Sequence, residues 1–166
     1  GPLNIMALEK RRSMAAIETI DFEDEELDQF GAAQIQHLPQ TQLLDGYACI
    51  QCSRCQDACP AYETGKELSP SALEINKRYF INDNISTIAN GESIDKALTD
   101  WMLTEEAAWS CTTCGYCVEV CPVGNEPMID ILRARQNLVM MESNFPQDAM
   151  ETFEKMENYG NPWGLS

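Results

Sequence analysis

The sequence predicts a nearly all-α fold. Apolar residues recur at helical spacing in three stretches, and several of these open on a capping residue, a proline or an acidic first turn. Sustained period-two alternation bounded by hairpin turns, the mark of a strand-rich fold, occurs nowhere. The chain has 166 residues and is 44% apolar, enough for one modest core plus extensions rather than two domains.

Gly1-Pro2 resembles a remnant of protease cleavage. Lys10, Arg11 and Arg12 are followed between Glu18 and Asp28 by seven carboxylates with no base among them. Ile17, Ile20, Phe22, Leu27 and Phe30 punctuate this run, which reads as a solvated acidic arm able to dock partly as a short helix. From Pro39 short helical segments begin. Ser69-Pro70 is a cap followed by a first-turn proline, and Leu73, Ile75, Tyr79, Phe80 and Ile81 complete a helix from Pro70 to Ile81. Asn82, Asp83 and Asn84 close it, and Asn90-Gly91 makes a turn. Ile94, Ala97, Leu98, Trp101 and Met102 recur at helical spacing, and Thr104 with Glu105 and Glu106 opens another helix. A long helix is expected from Pro127 to about Met141, with Ile131, Leu132 and Leu138 on its buried side. Asn144 and Pro146 interrupt it before a last helix from Gln147 to Asn158, and the turn-rich run Asn158–Gly164 reads as a linker. The organisation that follows is an N-terminal extension (1–38), a helical domain (39–145) and a C-terminal helix with linker (146–166).

A formal charge of −16 and a pI near 4.2 argue against nucleic-acid binding, since phosphates demand a basic face. Partners should be basic, apolar at the contact, or covalently joined. No run of 18 apolar residues is present, so no membrane span is expected. No secretory signal is visible, and the chain is expected to be cytoplasmic, any membrane association coming through other parts of a larger protein or complex.

That compartment makes disulfides the weaker explanation of eight cysteines. The eight form two copies of C-x2-C-x2-C-x3-C-P: Cys49, Cys52, Cys55 and Cys59 before Pro60, and Cys111, Cys114, Cys117 and Cys121 before Pro122. Three cysteines at this spacing let a tight loop wrap three corners of a cubane while backbone N–H groups turn toward the sulfurs. Ser53 and Gly115, at equivalent positions, help the chain approach. The proline after each fourth cysteine fixes its own φ and suits a new segment. Two [4Fe-4S] clusters are therefore the expected cofactors, each adding about −2 to the chain when oxidised. Because the fourth cysteine generally serves the other cluster in two-cluster proteins of this pattern, the first would use Cys49, Cys52, Cys55 and Cys121, and the second Cys111, Cys114, Cys117 and Cys59. The competing readings are a four-cysteine zinc site, which normally uses two well-separated pairs, and thioredoxin-like dithiol chemistry.

A helical insert from Pro60 to Ser110 separates the runs, whereas compact bacterial ferredoxins place theirs close together on a small β-rich fold. In this the sequence resembles the α-helical ferredoxin type of fumarate reductase iron–sulfur subunits and of the C subunit of heterodisulfide reductase. CIQCSRCQDACPAYETGKELSP (Cys49 to Pro70), WSCTTCGYCVEVCPV (Trp109 to Val123) and GNPWG (Gly160 to Gly164) resemble the heterodisulfide-reductase-type iron–sulfur oxidoreductases from about Leu43 onward. The resemblance implies an α-helical ferredoxin module fused to or partnered by cysteine-rich CCG domains, and in some members a membrane domain linking electron-transferring flavoprotein to quinone. Gly124-Asn125-Glu126-Pro127-Met128 departs from the acidic, histidine-bearing stretch frequent in that family.

Other residues carry weaker signals. Arg54 in the first loop would raise a cluster potential if close, but reads equally as a solvated arginine. His37 sits in a polar linker and is not needed as a ligand. Trp101, Trp109, Tyr47, Tyr62 and Tyr116 would either shield clusters or pack the core, and Met140, Met141, Met150 and Met156 read as helix-packing residues. Lys10 to Arg12 would suit a juxtamembrane position. No nucleophile, general base or substrate pocket is evident, so no catalytic residue is assigned. The functional expectation is an electron relay within an oxidoreductase rather than a complete enzyme. The alternatives are a structural module that recruits redox partners, and a separate small subunit working with a CCG subunit.

Overall fold

A computed structural model describes residues 19–24 and 27–165. Nine α-helices occur among them: α1 (Gln40–Ala48), α2 (Arg54–Asp57), α3 (Pro60–Glu63), α4 (Pro70–Asp83), α5 (Ile85–Ala89), α6 (Glu105–Ser110), α7 (Tyr116–Glu119), α8 (Pro127–Met140) and α9 (Met150–Tyr159). The only β-type pairing among the described residues is an isolated antiparallel bridge between Gln34 and Ala97, so the fold is mainly helical and without a sheet.

The two long helices start as expected from their sequences. Ser69 caps α4 by accepting from the Ala72 N–H at 3.1 Å, and Pro70 takes the first helical position. Its missing N–H would have been unpaired there anyway. Pro127 opens α8 in the same way. Thr104 caps α6 by accepting from the Ala107 N–H. Helix α4 packs against α1 and α8, and α8 also meets α6 and α7. Gly46 allows α1 and α4 to cross closely, because a Cβ there would lie a tight 3.2 Å from the Arg78 backbone nitrogen.

Leu38, Leu68, Leu73, Leu98, Met102, Ile131 and Ala134 share one core with Ala32. Burying a side chain such as Leu73 contributes about 2 kcal/mol. Ile35, Phe80 and Ile81 form a satellite, where Trp101 stacks on Phe80 with ring centroids 3.9 Å apart.

The stretch from Ile94 to Met102 departs from its expected helix. Only Leu98–Asp100 turns, as a short 3-10 helix, while Ala97 is extended and pairs with Gln34. The apolar residues there are buried by different neighbours, Ile94 in the satellite and Leu98 and Met102 in the main core, so helical spacing arose without a helix. The described part of the acidic arm is not helical, and Phe22 is largely exposed. Lys10 to Arg12, Ile17, Glu18, Glu25 and Glu26 lie outside the described residues. Helix α9 follows a 3-10 turn at Gln147–Ala149 and stops at Gly160, whose φ of 68° ends it. Met140, Met141, Met150 and Met156 are at least a third exposed instead of packed between helices. No helix among the described residues is long and apolar enough to cross a membrane.

Candidate metal centre

The two cysteine loops are built alike. Gln51 and Thr113, each two residues after the first cysteine, have φ of 57° and 54°, while Ser53 and Gly115, two further on, have φ of 60° and 74°. The left-handed conformation costs a non-glycine residue about 1–2 kcal/mol. It turns backbone N–H groups inward: the Thr113 N–H donates to Cys111 Sγ at 3.4 Å, and the Gln51 N–H does the same for Cys49. Asn125 N–H donates to Cys121 Sγ at 3.3 Å. Ser53 and Gly115 then lead into α2 and α7, which present Cys55 and Cys117.

An arginine ties each loop to the helix that follows it. Arg78 of α4 donates through Nε to the Gly46 carbonyl at 2.8 Å and through its terminal nitrogen to the Cys49 carbonyl. Arg135 of α8 donates through Nε to the Ala108 carbonyl at 2.8 Å and through its terminal nitrogen to the Cys111 carbonyl at 2.5 Å. Gly46 and Ala108 each lie three residues before the first cysteine, and each arginine lies eight after the proline that opens its helix. The chain is thus an internal repeat whose halves face each other. The pairs Pro70/Arg78 and Pro127/Arg135 carried a readable signal of it in the sequence.

Two cavities lie between the halves. The first is lined by Cys49, Cys52, Cys55 and Cys121, the second by Cys111, Cys114, Cys117 and Cys59, and Cys117 also borders the first. Each cavity therefore receives its fourth cysteine from the other half. None of the eight forms a disulfide. Thiols spread around a cavity suit a polynuclear group.

Burial pushes the Cys55 and Cys117 thiols up to about 12, with neighbouring cysteines adding to it, and also raises Cys49 and Cys111. Thiols in such surroundings become thiolates only beside strong positive charge, which an iron core supplies. The donor set thus fits an iron–sulfur group.

The cavity walls differ at equivalent positions. Ser71 and Glu74 of α4 line the first, while Met128 and Ile131 of α8, one and four residues after their proline in both cases, line the second. Glu74 is 1% exposed. Its partner is Lys77, 0% exposed, whose Nζ lies 3.2 Å from Glu74 Oε2 and 2.5 Å from Asp130 Oδ2. Burial opposes the Lys77 charge, but Asp130 and Glu74 outweigh it and raise its pKa. Burial raises Glu74 to about 8 and Asp130 to about 6, with Lys77 pulling both back. Asp45, also buried, accepts the Glu126 N–H at 3.0 Å through Oδ2. None of this ionic cluster was legible from composition or periodicity.

Arg54 is exposed on the rim of the first cavity. His37 accepts the Ala33 N–H through Nδ1. Tyr47, Tyr62 and Tyr116 are exposed and, with Trp101 and Trp109, absent from both cavity linings. Trp109 instead packs under the Arg135 guanidinium, 5.3 Å from the ring centroid.

Residues 45–125, the span that holds both loops and the insert, match the family described as the 4Fe-4S dicluster domain. The chain carries a 4Fe-4S dicluster domain. Its eight cysteines fit two [4Fe-4S] clusters. The dicluster chain is 33% identical to the "Probable iron-sulfur-binding oxidoreductase FadF" of Bacillus subtilis, over all of this chain and 28% of that protein. It is 33% identical to the "EtfAB:quinone oxidoreductase" of Syntrophomonas wolfei, over 85% of this chain and 23% of the relative. To the "Probable membrane-anchored ferredoxin" of Chromohalobacter salexigens it is 28% identical, over 75% of this chain and 21% of the relative. The dicluster chain thus spans less than a third of the length of these relatives and is homologous to iron–sulfur oxidoreductases.

Proposed function

We propose that this chain is the electron-transfer segment of a larger oxidoreductase of the heterodisulfide-reductase type. In this reading it passes single electrons through two [4Fe-4S] clusters between a flavoprotein or quinone site and a catalytic CCG domain. The observation that carries the reading is the pair of adjoining cavities, each framed by four cysteines and sharing Cys117 as a common wall. A relative named for EtfAB and quinone supports the donor side of the proposal. Residues 39–145 form the relay domain, and 146–166 lead toward the CCG domain.

When bound, each cluster supplies a one-electron couple whose potential depends on hydrogen bonds to sulfur, nearby charge and exposure. The chain's own residues do the rest. Cys49, Cys52, Cys55 and Cys121 hold the first cluster, and Cys111, Cys114, Cys117 and Cys59 the second. Gln51, Thr113 and Asn125 aim N–H groups at ligand sulfurs, while Arg78 and Arg135 fix the Cys49 and Cys111 carbonyls. Apolar packing from Leu68, Met128 and Ile131 keeps water from the second cavity.

Removing Cys59 tests the assignment. Cys59→Ala, prepared anaerobically, is expected to lose the cluster signal that Cys114→Ala also loses and to keep the one that Cys52→Ala abolishes. Loss of only the Cys52-dependent signal would refute the crossed ligand set, and an iron-free wild-type chain would refute the relay.

A further inference from the structure

The internal repeat offers a built-in control. Around the two cavities the loop backbones, the inward N–H groups and the arginine clamps are matched, so their effects on two clusters largely cancel. The walls contributed by α4 and α8 are not matched. Glu74 stands on the first wall where Ile131 stands on the second, and Ser71 where Met128 stands. The second cavity has no charged residue in its lining; the first has Glu74 and Arg54.

Those two charges differ in weight. Arg54 is exposed, so water and salt screen it. Glu74 is walled off from solvent at 1% exposure. Its Oε1 finds no partner among the described residues, and Oε2 has only Lys77. Lys77 does not cancel it, because that single ammonium is shared with Asp130, to which it is closer. Asp45 adds a third buried carboxyl to the network. In a medium of low effective dielectric, a carboxylate near a cluster whose charge goes from about −2 to −3 on reduction disfavours the incoming electron.

We propose that Glu74, in its ionised form, makes the two clusters unequal, holding the one in the first cavity at the lower potential and leaving the one beside Ile131 as the resting place of the first electron. This rests on the two-cluster reading given above. Electrons entering the relay then collect on the cluster of Cys111, Cys114, Cys117 and Cys59, and the cluster of Cys49, Cys52, Cys55 and Cys121 carries charge only when driven. Glu74 acts through the field it places on its neighbour and is a positioning residue.

A redox titration of the reconstituted chain in alkaline buffer, where the Glu74 carboxyl is charged, followed by electron paramagnetic resonance, tests this. Wild type is expected to reduce in two one-electron steps, the lower one missing from Cys52→Ala and the upper one missing from Cys114→Ala. Glu74→Gln keeps the shape and removes the charge. It is expected to raise the reduced-to-oxidised ratio of the lower step at least tenfold at fixed potential, about 59 mV for a one-electron couple, and to leave the upper step in place. Glu74→Ile, which copies the second wall, serves if the glutamine variant fails to load. Coincident steps in wild type, a lower step that belongs to the second cavity, or a charge-neutral variant that leaves the lower step unmoved overturns the proposal. Iron analysis separates the two layers: about eight irons per chain with equal potentials defeats only this inference, whereas a chain that cannot take up two clusters defeats the reading beneath it.

Discussion

The first half of the repeat meets its cavity with Ser71 and Glu74, the second with Met128 and Ile131, yet both clamp their loops with the same arginine geometry. What is held constant is the scaffold of a cubane site; what varies is its electrostatic lining. The asymmetry runs deeper along the same helices. Lys77 of α4 corresponds to Ala134 of α8, and Asp130 of α8 to Leu73 of α4, so a buried ion pair joins the two helices on one side while the corresponding Leu73 and Ala134 belong to the main apolar core. A duplicated frame with one wall made ionic is an economical route from two identical sites to two different ones.

Breaking the ionic side should cost most. Lys77→Met strands Glu74 and Asp130 without their cation, and a loss of about 3–5 kcal/mol is expected in chemical denaturation. Replacing the corresponding Ala134 by Gly, a small change in the apolar half, should cost about 1 kcal/mol by the same measurement. The two clamps provide a matched pair: Arg78→Ala and Arg135→Ala should each cost about 1.5–3 kcal/mol, since each removes charge-assisted hydrogen bonds to carbonyls. Each is expected to accelerate loss of its own cluster under chelator, Arg78 the first and Arg135 the second. Loss of the same cluster in both variants would break the equivalence of the halves.

The pH dependence sharpens the contrast further. Glu74 binds its proton more tightly folded than unfolded, because burial raises it from 4.5 to about 8. Its contribution to stability is therefore complete below about pH 4.5 and is lost as pH rises toward 8. Glu74→Gln should flatten this part of the urea-midpoint profile, while Ile131→Val should leave its shape unchanged. The smallest effect belongs to a cap: Ser69→Ala should lower stability by about 1 kcal/mol, whereas α8 begins at Glu126 without a side-chain cap of this kind.

The sequence made α4, α6 and α8 legible because Ser69-Pro70, Thr104 and Pro127 are local signals that need no tertiary partner. The crossed assignment of Cys59 and Cys121 came from a rule about the pattern; the first cavity is lined by Cys49, Cys52, Cys55, Cys117 and Cys121, the second by Cys59, Cys111, Cys114 and Cys117. The segment from Ile94 to Met102 misled, because its apolar residues are spaced by the needs of two separate core clusters rather than by one helix face. Lys77, Glu74 and Asp130 were illegible for a different reason. Within α4, Glu74 and Lys77 look like a surface pair three residues apart, and only the approach of Asp130 from α8 puts them out of reach of water. The tyrosines and methionines were overvalued as packing or shielding groups, since an apolar side chain in a small domain is commonly left partly exposed.

That each cavity ends on a cysteine from the far side of the chain also bears on the order of synthesis. During translation Cys49, Cys52 and Cys55 emerge long before Cys121, and Cys59 waits more than fifty residues for the loop beginning at Cys111. A nascent first half thus presents three sulfurs of a site it cannot close. On the crossed ligand set proposed above, neither site has all four of its sulfurs until both loops have been made.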